Sequence, residues 1–316
     1  MILSASRRTD IPAFWSDWFL RRLREGFVYV RNPMNPCQIS CIPLSPDVVD
    51  CIVFWTKNPV PLAERLEELE GYPYYFQYSI TGYGKDVEPR LPDKKTVLIP
   101  LFRELSQKLG PKRMVWRYDP IFFSNRYPSE YHLRAFEEIA NRLEGCGERV
   151  LISFIDLYAK TKRGVAGLEL LPPPSGEDLL AFASKLAAIA RKYGFSIESC
   201  AEKLDLAPAG VRHGHCIDRA LIEEIIDCRL NAARDKNQRP ECGCFESVDI
   251  GLYNTCLNGC RYCYATFDSE QVAHQINLYD PASPLLCSKV GALDIVRERK
   301  VSSLRDFQSS LFYYGG

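Results

Sequence analysis

The sequence lacks an excess of charge of either sign. Forty Lys and Arg balance forty Asp and Glu, which argues against broad electrostatic binding to nucleic acid or an anionic membrane, although a local basic groove remains compatible. There is no run of about 18 apolar residues, so no transmembrane helix is expected. The start, MILSASRRTDIPAF, has no apolar stretch behind a basic segment, so no secretion signal is expected and the chain reads as cytoplasmic. Internal repeats and low-complexity tracts are absent. No Ser-His-Asp arrangement stands out, nor a glycine-rich loop suited to phosphate.

Cysteine, by contrast, is abundant. There are 13, and eight of them (Cys200, Cys216, Cys228, Cys242, Cys244, Cys256, Cys260 and Cys263) fall within residues 200–263. An odd number of clustered thiols in a large chain without a leader points to metal binding in a reducing compartment rather than to a disulfide scaffold.

Runs rich in Val, Ile, Phe and Tyr predict strands at Met1–Ser6, Phe27–Arg31, Val49–Trp55, Tyr74–Ile80, Met114–Tyr118, Val150–Ile155, Phe195–Ser199 and Val248–Leu252. Helical spacing of apolar residues predicts helices over Ser16–Glu25, Pro61–Glu70, Thr96–Leu109, Ser129–Leu143, Gly176–Tyr193 and Asp218–Arg229. Alternating strands and helices imply an α/β fold with a mostly parallel sheet, and eight units fit a (β/α)8 barrel of the TIM type. An open, doubly wound sheet is the structural alternative. Residues 1–265 would form the barrel, with a cysteine-rich last third. Residues 266–316 would form a tail of loops and a short helix, with Arg297–Lys300 as a solvated basic run.

Polar residues followed by proline close several predicted strands: Arg7-Arg8-Thr9-Asp10-Ile11-Pro12, Arg31-Asn32-Pro33, Lys57-Asn58-Pro59 and Arg117-Tyr118-Asp119-Pro120. Proline ends ladder pairing, so these four segments are expected on one rim, at the carboxyl ends of the strands, where α/β proteins bind ligands. Arg7, Arg8, Lys57, Arg117, Asp10 and Asp119 are the catalytic candidates. The arginine fork suits a carboxylate or phosphate, and the aspartates, with Asp156, can balance charge or bind a hydroxyl. Ser79 and Thr81 share one strand face, and with Asn58 are candidates to contact a cofactor. An ion-pair network that only closes the sheet is the plainer reading of all of these. Tyr74, Tyr75, Phe76 and Tyr78 read as packing. His132 and His274 have no evident partner.

The strongest signal is Cys256-Leu-Asn-Gly-Cys260-Arg-Tyr-Cys263, directly after a predicted strand. Three closely spaced thiolates can hold three irons of a [4Fe–4S] cluster and leave the fourth open for chemistry, and Gly259 permits the tight path. Structural zinc is the alternative, with Cys242 or Cys244 as fourth ligand. Cys200, Cys216, Cys242 and Cys244 form a possible second site, either another iron–sulfur cluster or zinc, which His213 and His215 might join. Cys228 reads as helix core, and Cys37, Cys41, Cys51, Cys146 and Cys287 as structural.

The C-x3-C-x2-C spacing, with Tyr262 before its last cysteine, resembles the radical S-adenosylmethionine (SAM) superfamily. The segment Gly251–Ala265, together with Ser79-Ile-Thr81, Glu88-Pro-Arg90 and Arg117-Tyr-Asp-Pro-Ile121, is similar to its spore photoproduct lyase branch. The chain as a whole resembles a bacterial family of uncharacterised proteins of about this length, which begin with Ser-x-Arg-Arg-Thr-Asp-Ile-Pro and end with this motif. The resemblance implies Cys256, Cys260 and Cys263 as cluster ligands and Tyr262 beside the adenine; the arginine fork makes Arg7, Arg8 and Arg117 candidates to grip the SAM carboxylate or an anionic substrate. It implies reductive cleavage of SAM, hydrogen abstraction from an unknown substrate, and an electron donor such as flavodoxin or ferredoxin. Radical SAM barrels carry the cysteine loop after their first strand. Here it follows the last, which implies a circular permutation. An iron–sulfur electron carrier or redox sensor, and a zinc-stabilised binding protein, are the competing classes.

Overall fold

The computed structural model describes residues 1–172 and 174–307. Eleven strands are present among them: β1 (Ile2–Ala5), β2 (Phe27–Arg31), β3 (Gln38–Pro43), β4 (Cys51–Thr56), β5 (Tyr74–Ser79), β6 (Met114–Ile121), β7 (Arg149–Phe154), β8 (Ser196–Ser199), β9 (Arg212–His213), β10 (Val248–Asp249) and β11 (Ile295–Glu298). Eight build one all-parallel sheet in the order β10-β1-β4-β5-β6-β7-β8-β9.

Successive side chains leave a strand on opposite faces, and both faces of this sheet are covered. Leu3, Phe54, Phe76, Trp116 and Ile152 join a large apolar cluster with Trp18, Phe102, Phe136 and Phe182, from the helices Ser16–Glu25, Ile99–Leu109, Ser129–Arg142 and Gly176–Lys192. The other face carries Ile2, Val53, Tyr75, Val115 and Leu151, which pack on Cys216, Ile217, Leu221 and Ile222. Along that second face the strands change character. Val53 gives way to Trp55, Tyr75 to Gln77 and Ser79, Val115 to Arg117 and Asp119, and Leu151 to Ser153. The face is apolar where the strands begin and polar where they end, and this gradient positions the site.

The expected closed barrel is not formed. The last strand, β10, does lie beside the first, but β9 and β10 are the two edges of an open sheet. Each is two residues long. The chain beyond β9 packs on the face that carries Ile2, Val53 and Tyr75 instead, where the Phe245 amide donates to the Ile217 carbonyl at 3.2 Å and the Ile217 amide meets Cys244 Sγ at 3.4 Å.

Two further expectations are corrected. Phe27–Arg31 is a strand, but it belongs to a separate three-stranded sheet, order β11-β3-β2, antiparallel to β3. Its place in the large sheet is taken by Arg212–His213. The C-terminal stretch is more than loops and a short helix. Beyond the helix Ser269–Asn277, β11 pairs with β3, and Ser303 Oγ and the Leu304 amide donate to buried Asp50 at 2.6 and 2.8 Å. Asp50 also receives the amino terminus of Met1, at 2.6 Å. Arg297–Lys300 is exposed, as expected. Residues 308–316 of the expected tail lie outside the described residues. Among the described residues, no helix is long and apolar enough to cross a membrane.

Candidate functional site: one cavity walled by two groups of thiols

A cavity of about 520 Å³ opens where the inner face turns polar. Trp55, Ser79, Arg117, Asp119 and Ser153 line it from the strands, and Arg7, Arg8 and Lys57 from the loops after β1 and β4. Cys256, Cys260 and Cys263 form part of its wall, and so do Cys200, Cys216, Cys242 and Cys244. All thirteen cysteines are unbridged. Of the four expected rim segments, three reach this cavity. Arg31-Asn32-Pro33 follows β2 in the other sheet, and Arg31 pairs with Asp294 at 2.6 Å.

The cysteine loop is fixed from several sides. Asn258 Nδ2 donates to Asp10 Oδ2 at 3.0 Å, the Arg261 amide to the Val87 carbonyl at 3.0 Å, and Arg261 Nε to the Gly164 carbonyl at 3.0 Å. Gly259 has φ +69°, a left-handed conformation that a glycine adopts without steric cost. Burial pushes the Cys256 thiol up, helped by Asp10 and the neighbouring thiols. Burial does the same to Cys260, against the opposing charge of Lys57. A metal bound here displaces those protons, so binding strengthens as pH rises.

Gly164 tests how tightly the loop is held. A Cβ at this position would lie 2.1 Å from the Arg261 carbonyl oxygen, which is backbone inside the motif. Gly164→Ala is expected to cost about 1–3 kcal/mol, the usual price of overpacking. Gly176→Ala, with nothing within 4 Å of the new methyl, is the control and should leave the thermal unfolding midpoint nearly unchanged.

Beneath the loop sits a buried ionic cluster. Glu88, 1% exposed, accepts from Lys57 Nζ at 3.0 Å, Thr81 Oγ1 at 2.8 Å, Lys94 Nζ and the Tyr262 hydroxyl. Burial raises the Glu88 pKa, but the two lysines outweigh it and hold the carboxyl at about 2. The Tyr262 ring packs near Tyr83 and Phe122, and Lys57 Nζ stands 5.3 Å from its centroid. Glu88 was legible only as part of the Glu88-Pro-Arg90 segment, and its role as the hub of two lysines and a tyrosine was missed. No local pattern marks a carboxylate whose partners lie at residues 57, 81, 94 and 262.

The other candidates separate by what they touch. Asp10 is a tether, accepting from Thr56 Oγ1 (2.7 Å), the Lys57 amide (2.8 Å), the Ala13 amide (3.2 Å) and Asn258. Arg117 is committed to Asp119 at 2.5 Å and to Cys216 Sγ at 2.8 Å. Arg7 and Arg8 line the cavity and reach Asp249 only at 4.0 Å, while Arg7 Nη2 donates to Ser247 Oγ at 3.3 Å and lies 3.8 Å from Asp235, and Arg8 Nη1 donates to the Gly251 carbonyl at 3.4 Å. Ser79 and Tyr262 line the cavity. Asn58 and Thr81 are not on its wall: Asn58 Oδ1 accepts from the Val60 amide at 3.4 Å, and Thr81 serves Glu88. Asp156 is on the wall and paired with Arg239. His132, which lacked an evident partner, is a satisfied core residue. Its ring nitrogens face the Tyr118 hydroxyl and the Phe122 carbonyl, both at 2.9 Å, and burial lowers its pKa to about 4.

The sulfurs of Cys200, Cys216 and Cys244 lie within 4.8 Å of one another, a group able to hold a metal ion. Cys242 interacts with Cys200 and Cys244. Three of the four thiols expected at a second site therefore gather in one place, and Cys242 lines the same wall but stands more than 4.8 Å from at least one of them. Cys256, Cys260 and Cys263 do not close to that spacing; at least one pair of their sulfurs stands further apart. His213 and His215 are outside the close group and pack against Gly243, and the buried Nδ1 of His215 has no hydrogen-bond partner among the described residues.

No curated protein and no solved structure matches the chain. A family model described as a domain of unknown function, DUF1848, matches residues 2–265, and the chain belongs to that family.

Proposed function

We propose that the protein is an iron–sulfur enzyme of the radical SAM type. In this reading Cys256, Cys260 and Cys263 hold a [4Fe–4S] cluster, and the adjoining cavity takes SAM and a substrate. The observation that carries the reading is that the three thiols form part of the wall of a cavity of about 520 Å³ that several charged side chains also line, within the size range of small-molecule sites. An electron carrier needs no such chamber, so the cavity favours an enzyme over the carrier or sensor reading. When bound, the cluster supplies the electron for reductive cleavage of SAM.

The protein's own residues then have definite tasks. Asp10 and Asn258 hold the cysteine loop against the loop after β4. Lys57, whose charge acts on Cys260, offsets the negative charge of the thiolates. Arg7 and Arg8 have the donors to grip a carboxylate, whether of SAM or of an anionic substrate. Arg117 does not take that task, since Asp119 and Cys216 occupy its fork.

Anaerobic reconstitution of the full chain should load about four irons and four sulfides per chain. Reduction with SAM present should then yield 5′-deoxyadenosine. Both should vanish in the Cys256→Ala/Cys260→Ala/Cys263→Ala variant. A filled cluster with no spectral response to SAM and no 5′-deoxyadenosine would favour the carrier reading instead. Zinc without sulfide at the motif would favour the zinc-stabilised binding protein.

A further inference from the structure

Cys200, Cys216, Cys242 and Cys244 take no part in that chemistry, yet they are drawn together from three separate segments. Cys200 follows β8, Cys216 follows β9, and Cys242 and Cys244 precede β10. Cys200 and Cys216 thus belong to the β8–β9 edge of the open sheet, and Cys242 and Cys244 to the chain that leads into β10, its other edge strand. Backbone pairing does not join the two edges, and the thiols meet across them. A tetrahedral ion with metal–sulfur bonds of about 2.3 Å spaces its sulfurs about 3.8 Å apart. The 4.8 Å grouping of Cys200, Cys216 and Cys244 accommodates that spacing. Cys242, two residues from Cys244 and packed against the same cluster as Cys216 and Cys244, stands more than 4.8 Å from at least one of the three, and on this proposal it closes in when the ion binds.

We propose that these four cysteines bind a single divalent ion, zinc by the nature of the donors, and that this ion clasps the two edges of the open sheet. Four thiolates around a dication carry two net negative charges. Arg117 Nη1 at 2.8 Å from Cys216 Sγ offsets one of them from the cavity side. The residue between Cys242 and Cys244 has to be small. A Cβ at Gly243 would come within 2.2 Å of the His215 ring, so the Cys-Gly-Cys spacing is imposed by packing as well as by the ion. The clasp does not depend on what the Cys256 loop binds.

The test uses the full chain carrying Cys256→Ala, Cys260→Ala and Cys263→Ala, purified from zinc-supplemented cells. About one zinc per chain without acid-labile sulfide is expected, with X-ray absorption giving about four sulfur neighbours at ~2.3 Å. Adding Cys200→Ser and Cys244→Ser should bring the zinc close to zero. Should that variant fail to fold, the same measurements on the parent suffice. Cobalt exchanged into the parent should show thiolate charge-transfer bands of a tetrahedral site, and chelation should lower its unfolding temperature. Acid-labile sulfide in the parent would replace the single ion with a cluster. Absence of zinc, or fewer than four sulfur neighbours, would also overturn the proposal. Loss of 5′-deoxyadenosine in the motif variant with the zinc retained would separate the clasp from the reading of the Cys256 loop.

Discussion

Replacing Glu88 with glutamine is expected to lower the unfolding free energy by about 3–5 kcal/mol, because it strands two buried ammonium groups that share one carboxylate. Lys57 and Lys94 expose only 15% and 19% of their side chains. Neither can reach water fully when Glu88 is neutralised, and Thr81 and Tyr262 lose a charged acceptor. For a chain of this size the change corresponds to a fall of roughly 4–8 °C in the unfolding midpoint. Differential scanning calorimetry checks it. Combining Glu88→Gln with Lys94→Met should recover part of the loss, since one uncompensated charge then disappears. A midpoint that barely moves in the single variant would mean that solvent, and not Glu88, neutralises the two lysines.

The same cluster sets a pH signature. Glu88 titrates at about 2 in the folded protein, against an ordinary 4.5. A carboxyl whose folded pKa is depressed stabilises above its unfolded pKa and loses that contribution as pH falls through the folded one. The stability gap between the native chain and Glu88→Gln should therefore be full at neutral pH and narrow from about 4.5 downward toward 2. Asp10 has the opposite sign, because burial raises its pKa against four opposing hydrogen bonds. Its charge is a cost at neutral pH, which the four donors offset only in part.

The contrast between the strands that could be read and those that could not has a physical cause. Val49–Trp55 and Val150–Ile155 announce themselves because strands buried on both faces are continuous apolar runs. Arg212–His213 does not. It is two exposed polar residues, held as a strand only because Ser199 and Glu198 offer a ladder. Phe27–Arg31 has strand composition, but composition does not name a partner, and its antiparallel neighbour Gln38–Pro43 contains a serine, a cysteine and a proline that hide it. Counting eight strands thus reached the right number for the large sheet with one wrong member. The closed barrel failed at the spot where the thiol-bearing segment, rather than a ladder, fills the interval. The site divides in the same way. The seven cysteines of the two groups were legible because spacing and residue type suffice to mark a thiol group. The roles of Arg117 and Glu88 were not, since Cys216 lies 99 residues from the first and Tyr262 lies 174 from the second.

Asp10→Ala should be as damaging as Glu88→Gln, by a different route. One carboxylate, 5% exposed, serves the Thr56 hydroxyl, two backbone amides and the Asn258 side chain. Those donors come from the first turn of the short helix Ile11–Phe14, from the end of β4 and the residue after it, and from the cysteine loop. Removing the acceptor leaves up to four buried donors unmatched, each worth about 1–3 kcal/mol when no water replaces it. A net loss of about 3 kcal/mol or more is expected. Asparagine should not rescue it, since its amide would point a donor at donors. On the proposed iron–sulfur function, and because Asn258 lies between Cys256 and Cys260, the variant should also retain less iron after reconstitution at a temperature where it is still folded. Asn258→Ala breaks only the last link, so it should lose iron while keeping most of the stability. That pair separates positioning of the loop from folding of the sheet. If Asp10→Ala unfolds at the native midpoint and keeps its iron, the carboxylate does not organise the cavity mouth, and Lys57 and the cysteine loop are held by their other contacts alone.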